Sequence, residues 1–102
     1  MERIEYFKRF KDVARDIKKT VLKYVDAKVY VFGSIVRGDY SIGLSDIDIA
    51  IVSKDFKDRN IRLKIYDILL EKYFDSPIEF HLVTPDRWEK FLNFIGKDYI
   101  EI

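Results

Sequence analysis

The chain has 102 residues, 48% of them hydrophobic and 36% charged, which suits one globular domain and excludes an intrinsically disordered segment. Nineteen basic residues against eighteen acidic ones leave a formal charge of +1, and no basic block forms a stripe for nucleic acid. The sequence holds no cysteine for a disulfide framework or thiolate zinc site, and no apolar run long enough for a signal or a membrane span.

A cytoplasmic protein working away from membranes is the expectation. Many Lys, Arg, Glu and Asp with no Gln and only two Asn resemble the bias of thermophilic proteins.

Along the chain, Ile4, Phe7, Phe10, Ala14, Ile17, Val21 and Tyr24 recur every three or four positions. That period predicts a long amphipathic helix from Glu2 to Val25, ended by Asp26-Ala27. Val29-Tyr30-Val31-Phe32 predicts a first strand that stops at Gly33-Ser34. Glycine lets backbone approach a phosphate closely, and Ser34 adds a hydroxyl where a short helix can begin. A second strand is expected from Asp46 to Val52, then a polar turn from Ser53 to Asp58. The helix from Arg59 to Phe74 buries Ile61, Ile65, Ile68, Leu69 and Tyr73, and Asp75-Ser76-Pro77 breaks it. Ile78 to Val83 reads as a third strand, with Ile78, Phe80 and Leu82 on one face and Glu79 and His81 on the other. Thr84 as N-cap and Pro85 at the first position start a last helix, which runs to Phe94 or Ile95 with Gly96 as terminator. Trp88 and Phe91 are expected in the core, and part of Phe94 to Ile102, with Tyr99, Ile100 and Ile102, at an interface. This order predicts a single α/β (α+β) domain over 1–102, two layers built on a small mixed sheet flanked by helices.

The candidate chemistry centres on carboxylates. Asp46 and Asp48 are two residues apart, so on a strand they share a face, roughly 6.5–7 Å apart. Like charges so placed call for a cation, and Mg²⁺ prefers carboxylate oxygens. An isolated Asp-x-Asp is also a common strand entrance. Glu79, in an apolar strand, either faces solvent or meets the pair, and three converging carboxylates form a two-metal site. Arg37 can pair with a phosphate as a guanidinium or stay a solvated surface residue. His81 can position an acceptor or phosphate, or serve structure alone. Asp39 and Asp55 read as turn residues.

Gly33-Ser34, Arg37-Gly38, Asp46-x-Asp48 and Glu79 together resemble the nucleotidyltransferase fold of the DNA polymerase beta superfamily, in particular the minimal nucleotidyltransferases of archaea and bacteria. The resemblance spans Val29 to Val83. Many members place ten residues between Gly-Ser and the first aspartate, whereas Ile35 to Ser45 is eleven. The extra residue is expected in the loop Asp39 to Leu44, where Gly43 can absorb it.

The resemblance implies that Asp46, Asp48 and Glu79 are catalytic and hold two Mg²⁺ ions, with Glu79 serving the ion that activates the acceptor. It implies that Gly33, Ser34 and Arg37 bind the nucleotide. The implied reaction moves a nucleoside monophosphate, AMP from ATP, to a hydroxyl, and pyrophosphate leaves. Larger relatives append an acceptor-binding domain, so here a partner or a second copy is expected to bring the acceptor. The resemblance points to a tyrosine of a HEPN-type protein, with this chain the antitoxin of a toxin–antitoxin pair; a homodimer is the other expected assembly. The alternative is a catalytically weak or inactive nucleotide-binding protein that works by complex formation.

Overall fold

Lys28–Phe32 (β1), Ile47–Val52 (β2), Ile78–Val83 (β3) and Tyr99–Glu101 (β4) form one mixed sheet in the computed structural model, which describes residues 1–102. The strand order is β3-β2-β1-β4; β1 runs antiparallel to both β2 and β4, and β2 runs parallel to β3. A parallel pair needs a crossover. Here the crossover is a 3₁₀ turn, Lys54–Lys57, followed by a helix.

Five helices accompany the sheet: Arg3–Lys8 (α1), Phe10–Val21 (α2), Ser34–Arg37 (α3), Arg59–Lys72 (α4) and Pro85–Ile95 (α5). One sheet face carries Val29, Val31, Ile47, Ile49, Ile51 and Phe80, which join Ile17, Val21, Ile65 and Leu69 from α2 and α4 in a core of 17 buried residues. The other face carries Tyr30, Phe32, Ala50 and Val52, covered by Trp88 from α5. Burial on both faces explains why β2 reads as an almost unbroken apolar run. Each fully buried Ile or Val there contributes about 1.5–3 kcal/mol. The expected small mixed sheet flanked by helices is therefore present.

The elements differ from the sequence reading in four places. The first helix is two: Arg9 leaves helical geometry at φ −114°, ψ 26°, between α1 and α2. The kink lets α2 lie on the sheet while α1 reaches the loop after α3, where Arg3 donates to the carbonyls of Ile42 and Ser45 and Phe7 stacks on Tyr40 at 5.1 Å. One straight helix would not serve both. Second, α2 stops at Val21, and a turn returns the chain so that Val25 is buried.

Third, the segment from Ser53 to Asp58 is not merely polar. Ser53 Oγ donates to the Asp26 carbonyl (2.7 Å) and accepts from Asp55 N–H (3.2 Å), which closes a turn over the fully buried Phe56. Fourth, the tail expected at an interface is β4: Tyr99 pairs with Phe32 and Glu101 with Tyr30, and Ile102 N–H bonds to the Val29 carbonyl (2.9 Å). An open β1 edge presents unpaired N–H and C=O groups, and this segment pairs with them. Phe91, assigned to the core, is instead exposed along the rim of a slot described below.

Candidate metal and nucleotide site

The site is set by strand register. Phe32 on β1, Asp48 on β2 and Glu79 on β3 form one row across the sheet, and Tyr30, Ala50 and His81 form the next. Asp48 and Glu79 therefore stand on neighbouring strands of the same face, and His81 lies one step along. Ala50 between them has only a methyl group, so the imidazole leans toward Asp48: His81 Nε2 is 3.2 Å from Asp48 Oδ1. The ring of the buried Phe32 packs against it at 5.1 Å. One ligand atom from each of Asp48, Glu79 and His81 falls within 4.8 Å of the others, a group fit to hold a metal ion.

Asp48 is three-quarters covered, its side chain 25% exposed, and Glu79 is exposed. No lysine or arginine pairs with Asp46, Asp48 or Glu79, although the chain has nineteen basic residues. Clustered carboxylates without a protein counter-charge are what a cation site needs. Asp46 is exposed, one residue before β2 begins, and lies outside the close group of donors. The ladder begins one residue later, where Ile47 N–H bonds to the Pro77 carbonyl at 2.7 Å.

Gly33 ends β1 and caps α3. Its φ of 87° and ψ of −153° lie where side chains are strained, and a Cβ there would sit 2.6 Å from Asp48 Oδ2. The glycine thus makes room for the Asp48 carboxylate, whose other oxygen meets His81. The Gly33 carbonyl accepts from Val36 and Arg37, and the amides of Ser34 and Ile35 begin the helix without intrahelical acceptors. The short helix expected at Ser34 is present.

Arg37 closes that turn and pairs with Asp39 (3.2 Å) rather than with any site carboxylate. Gly38 follows at φ 82°, so the glycine freedom in this connection is used there and not at Gly43, whose φ is ordinary. The eleven-residue connection is instead folded upon itself: Ser45 N–H bonds to the Ser41 carbonyl (2.8 Å) and Ser41 N–H to Ser45 Oγ (2.9 Å).

Beside the donor group a slot of about 190 Å³ opens between the sheet, at Ala50, His81 and Val83, and α5, at Arg87 and Phe91. Its walls are mainly apolar, with one guanidinium. A larger hollow of about 430 Å³ lies under the start of α5 among Lys28, Lys54 and Glu89, and none of the site carboxylates lines it. The smaller slot, sharing His81 with the donors, is the one placed to receive part of a substrate. Strand alternation alone puts Glu79 and His81 on one face; the reach of His81 to Asp48 depends on register and on the gap at Ala50, which no local pattern reveals.

No helix is long and apolar enough to cross a membrane. A search among curated proteins finds none that matches. Among solved structures, the chain is similar to a crystal structure of a protein provisionally described as a nucleotidyltransferase, with 45% identity and a TM-score of 0.73, over 92% of this chain and 98% of the other. It is also similar to a protein of the same provisional description from Sulfolobus solfataricus, at 23% identity and a TM-score of 0.61, over 97% of this chain and 80% of that one; that likeness concerns the fold. The family profile of the nucleotidyltransferase domain matches residues 10–102. With that match over nearly its whole length, and with Asp48 and Glu79 facing each other beside a glycine-serine turn, the chain belongs to the nucleotidyltransferase domain family.

Proposed function

We propose that the chain transfers a nucleoside monophosphate, AMP from ATP, to a hydroxyl acceptor in a reaction that depends on a divalent cation. The observation that supports it most is the register pair Asp48–Glu79 with His81 at its side and Gly33-Ser34 next to it. Asp48 and Glu79 would hold the cation in this reading, with Asp46 at the entrance of β2 as the third carboxylate. When bound, a divalent cation, Mg²⁺ by the family resemblance, would offset negative charge on the phosphates. The amides of Ser34 and Ile35 and the Ser34 hydroxyl hold the β- and γ-phosphates. Arg37 must release Asp39 to reach a phosphate. The acceptor oxygen bonds to the α-phosphorus, the bond to the β-phosphate oxygen breaks, pyrophosphate departs, and the acceptor proton passes to solvent through the exposed Glu79.

The acceptor in this proposal is a tyrosine hydroxyl of a HEPN-type partner, this chain being the antitoxin of the pair. The partner rests on family resemblance. The experiment is incubation with α-labelled nucleoside triphosphates, divalent cation and a HEPN-type protein encoded beside this one. Label on a tyrosine of that protein, with ATP preferred, supports the reading. Label on no acceptor, with nucleotide still bound, favours the alternative of a binding protein that acts through its complex.

A further inference from the structure

We propose that His81 is itself a ligand of the cation, and that the site consequently favours a first-row transition-metal dication over Mg²⁺. This rests on reading Asp48 and Glu79 as the metal site.

Three observations carry it. The His81 Nε2 to Asp48 Oδ1 separation is 3.2 Å. Two atoms at adjacent corners of a coordination octahedron of radius about 2.1 Å are about 3 Å apart, so a shared ion needs almost no movement of this pair. Next, the imidazole is positioned from outside: the buried Phe32 ring abuts it, and Ala50 leaves it space to lean across the sheet. Finally, Gly33 leaves empty the place where a Cβ would come within 2.6 Å of Asp48 Oδ2, so the carboxylate can stand beside the turn with its other oxygen toward His81. A nitrogen donor therefore stands next to a carboxylate oxygen, with Glu79 completing the group within 4.8 Å.

The donor set bears on the cation. Mg²⁺ is a hard ion bound by oxygen, whereas imidazole suits the later first-row metals. Mn²⁺ is the weakest binder of that series and so the most demanding probe. His81 is the chain's one histidine, which makes any histidine signal from an untagged protein unambiguous.

The test uses the untagged full chain loaded with Mn²⁺ alone. Pulsed electron paramagnetic resonance should show nitrogen modulation that changes when histidine is labelled with ¹⁵N and vanishes in His81→Gln. In Mn²⁺/Mg²⁺ competition, the preference of the wild type for Mn²⁺ should fall about ten-fold or more in His81→Gln. Circular dichroism confirms that the variant is folded. Bound Mn²⁺ without nitrogen modulation, and an unchanged cation preference in His81→Gln, would overturn the inference and leave His81 as a hydrogen-bond partner of Asp48. The metal reading itself would survive that result if Asp48→Asn still abolished Mn²⁺ binding. A wild-type chain that binds no Mn²⁺ would overturn both.

Discussion

Gly33 joins two requirements at one residue, a positive φ of 87° and an empty position beside Asp48 Oδ2. Gly33→Ala should therefore act twice. Backbone strain should lower stability by about 1–3 kcal/mol. Displacement of the Asp48 carboxylate should weaken cation-dependent nucleotide binding, read by calorimetry alongside a denaturation curve. Stability loss with full nucleotide affinity would show that Asp48 is not the group that matters. Glu79 is exposed and faces Asp48 across the β2–β3 pair, so its expected role is in turnover. Glu79→Gln should lower transfer far more than nucleotide affinity, the pattern of a lost transition-state interaction. Equal turnover in the variant would make Glu79 a bystander. Asp48 and Glu79 were legible in the sequence because strand alternation fixes which residues share a face. Their direct apposition, and the inclusion of His81 ahead of Asp46, come from the pairing register, a long-range property that alternation does not specify.

At the scale of elements, α2 and α4 are tied by Asp16, which accepts from Lys72 Nζ (2.9 Å) and from the Tyr73 hydroxyl. The Tyr73 bond, with help from Lys72, lowers the Asp16 carboxyl below its ordinary 3.8. A lowered folded-state value means that the link stabilises fully above pH 3.8 and is lost as pH falls through the lowered value. Both charged partners are about half exposed, so screening keeps the effect at about 1 kcal/mol or less. Unfolding free energies of wild type and Asp16→Asn should differ at neutral pH and converge in strong acid. A difference that grew on acidification would contradict this assignment. The apolar runs of β1 and β2, the alternation of β3, and the bounded helices α4 and α5 were readable in the chain. The kink at Arg9 and the strand β4 were not. Nothing breaks the helical period at Arg9; the demand comes from the loop that α1 must reach. Three residues, Tyr99–Glu101, are too few to show alternation, and only the open β1 edge makes them a strand.

For the whole molecule, with extents of 35 × 31 × 19 Å, the placement of β4 changes the expectation about assembly. Deleting Lys97 to Ile102 should now destabilise the fold by exposing the β1 edge and removing the Lys18 Nζ bond to the Ile102 carbonyl (2.7 Å). A partner contact is better sought at Phe94, which is 86% exposed on the outer side of α5. Phe94→Ser should leave the melting temperature nearly unchanged and weaken capture of a HEPN-type partner or self-association, followed by pull-down and light scattering; undiminished assembly would move the contact to another face. The proposed function depends on the carboxylates around Asp48 binding nucleotide through a divalent cation. The direct measurement is calorimetric titration of ATP into wild type and into Asp46→Asn/Asp48→Asn, each with and without the cation. Binding in the wild type should strengthen with cation, and the double variant should stay folded and lose that dependence. A double variant that binds cation-ATP as the wild type does would contradict it.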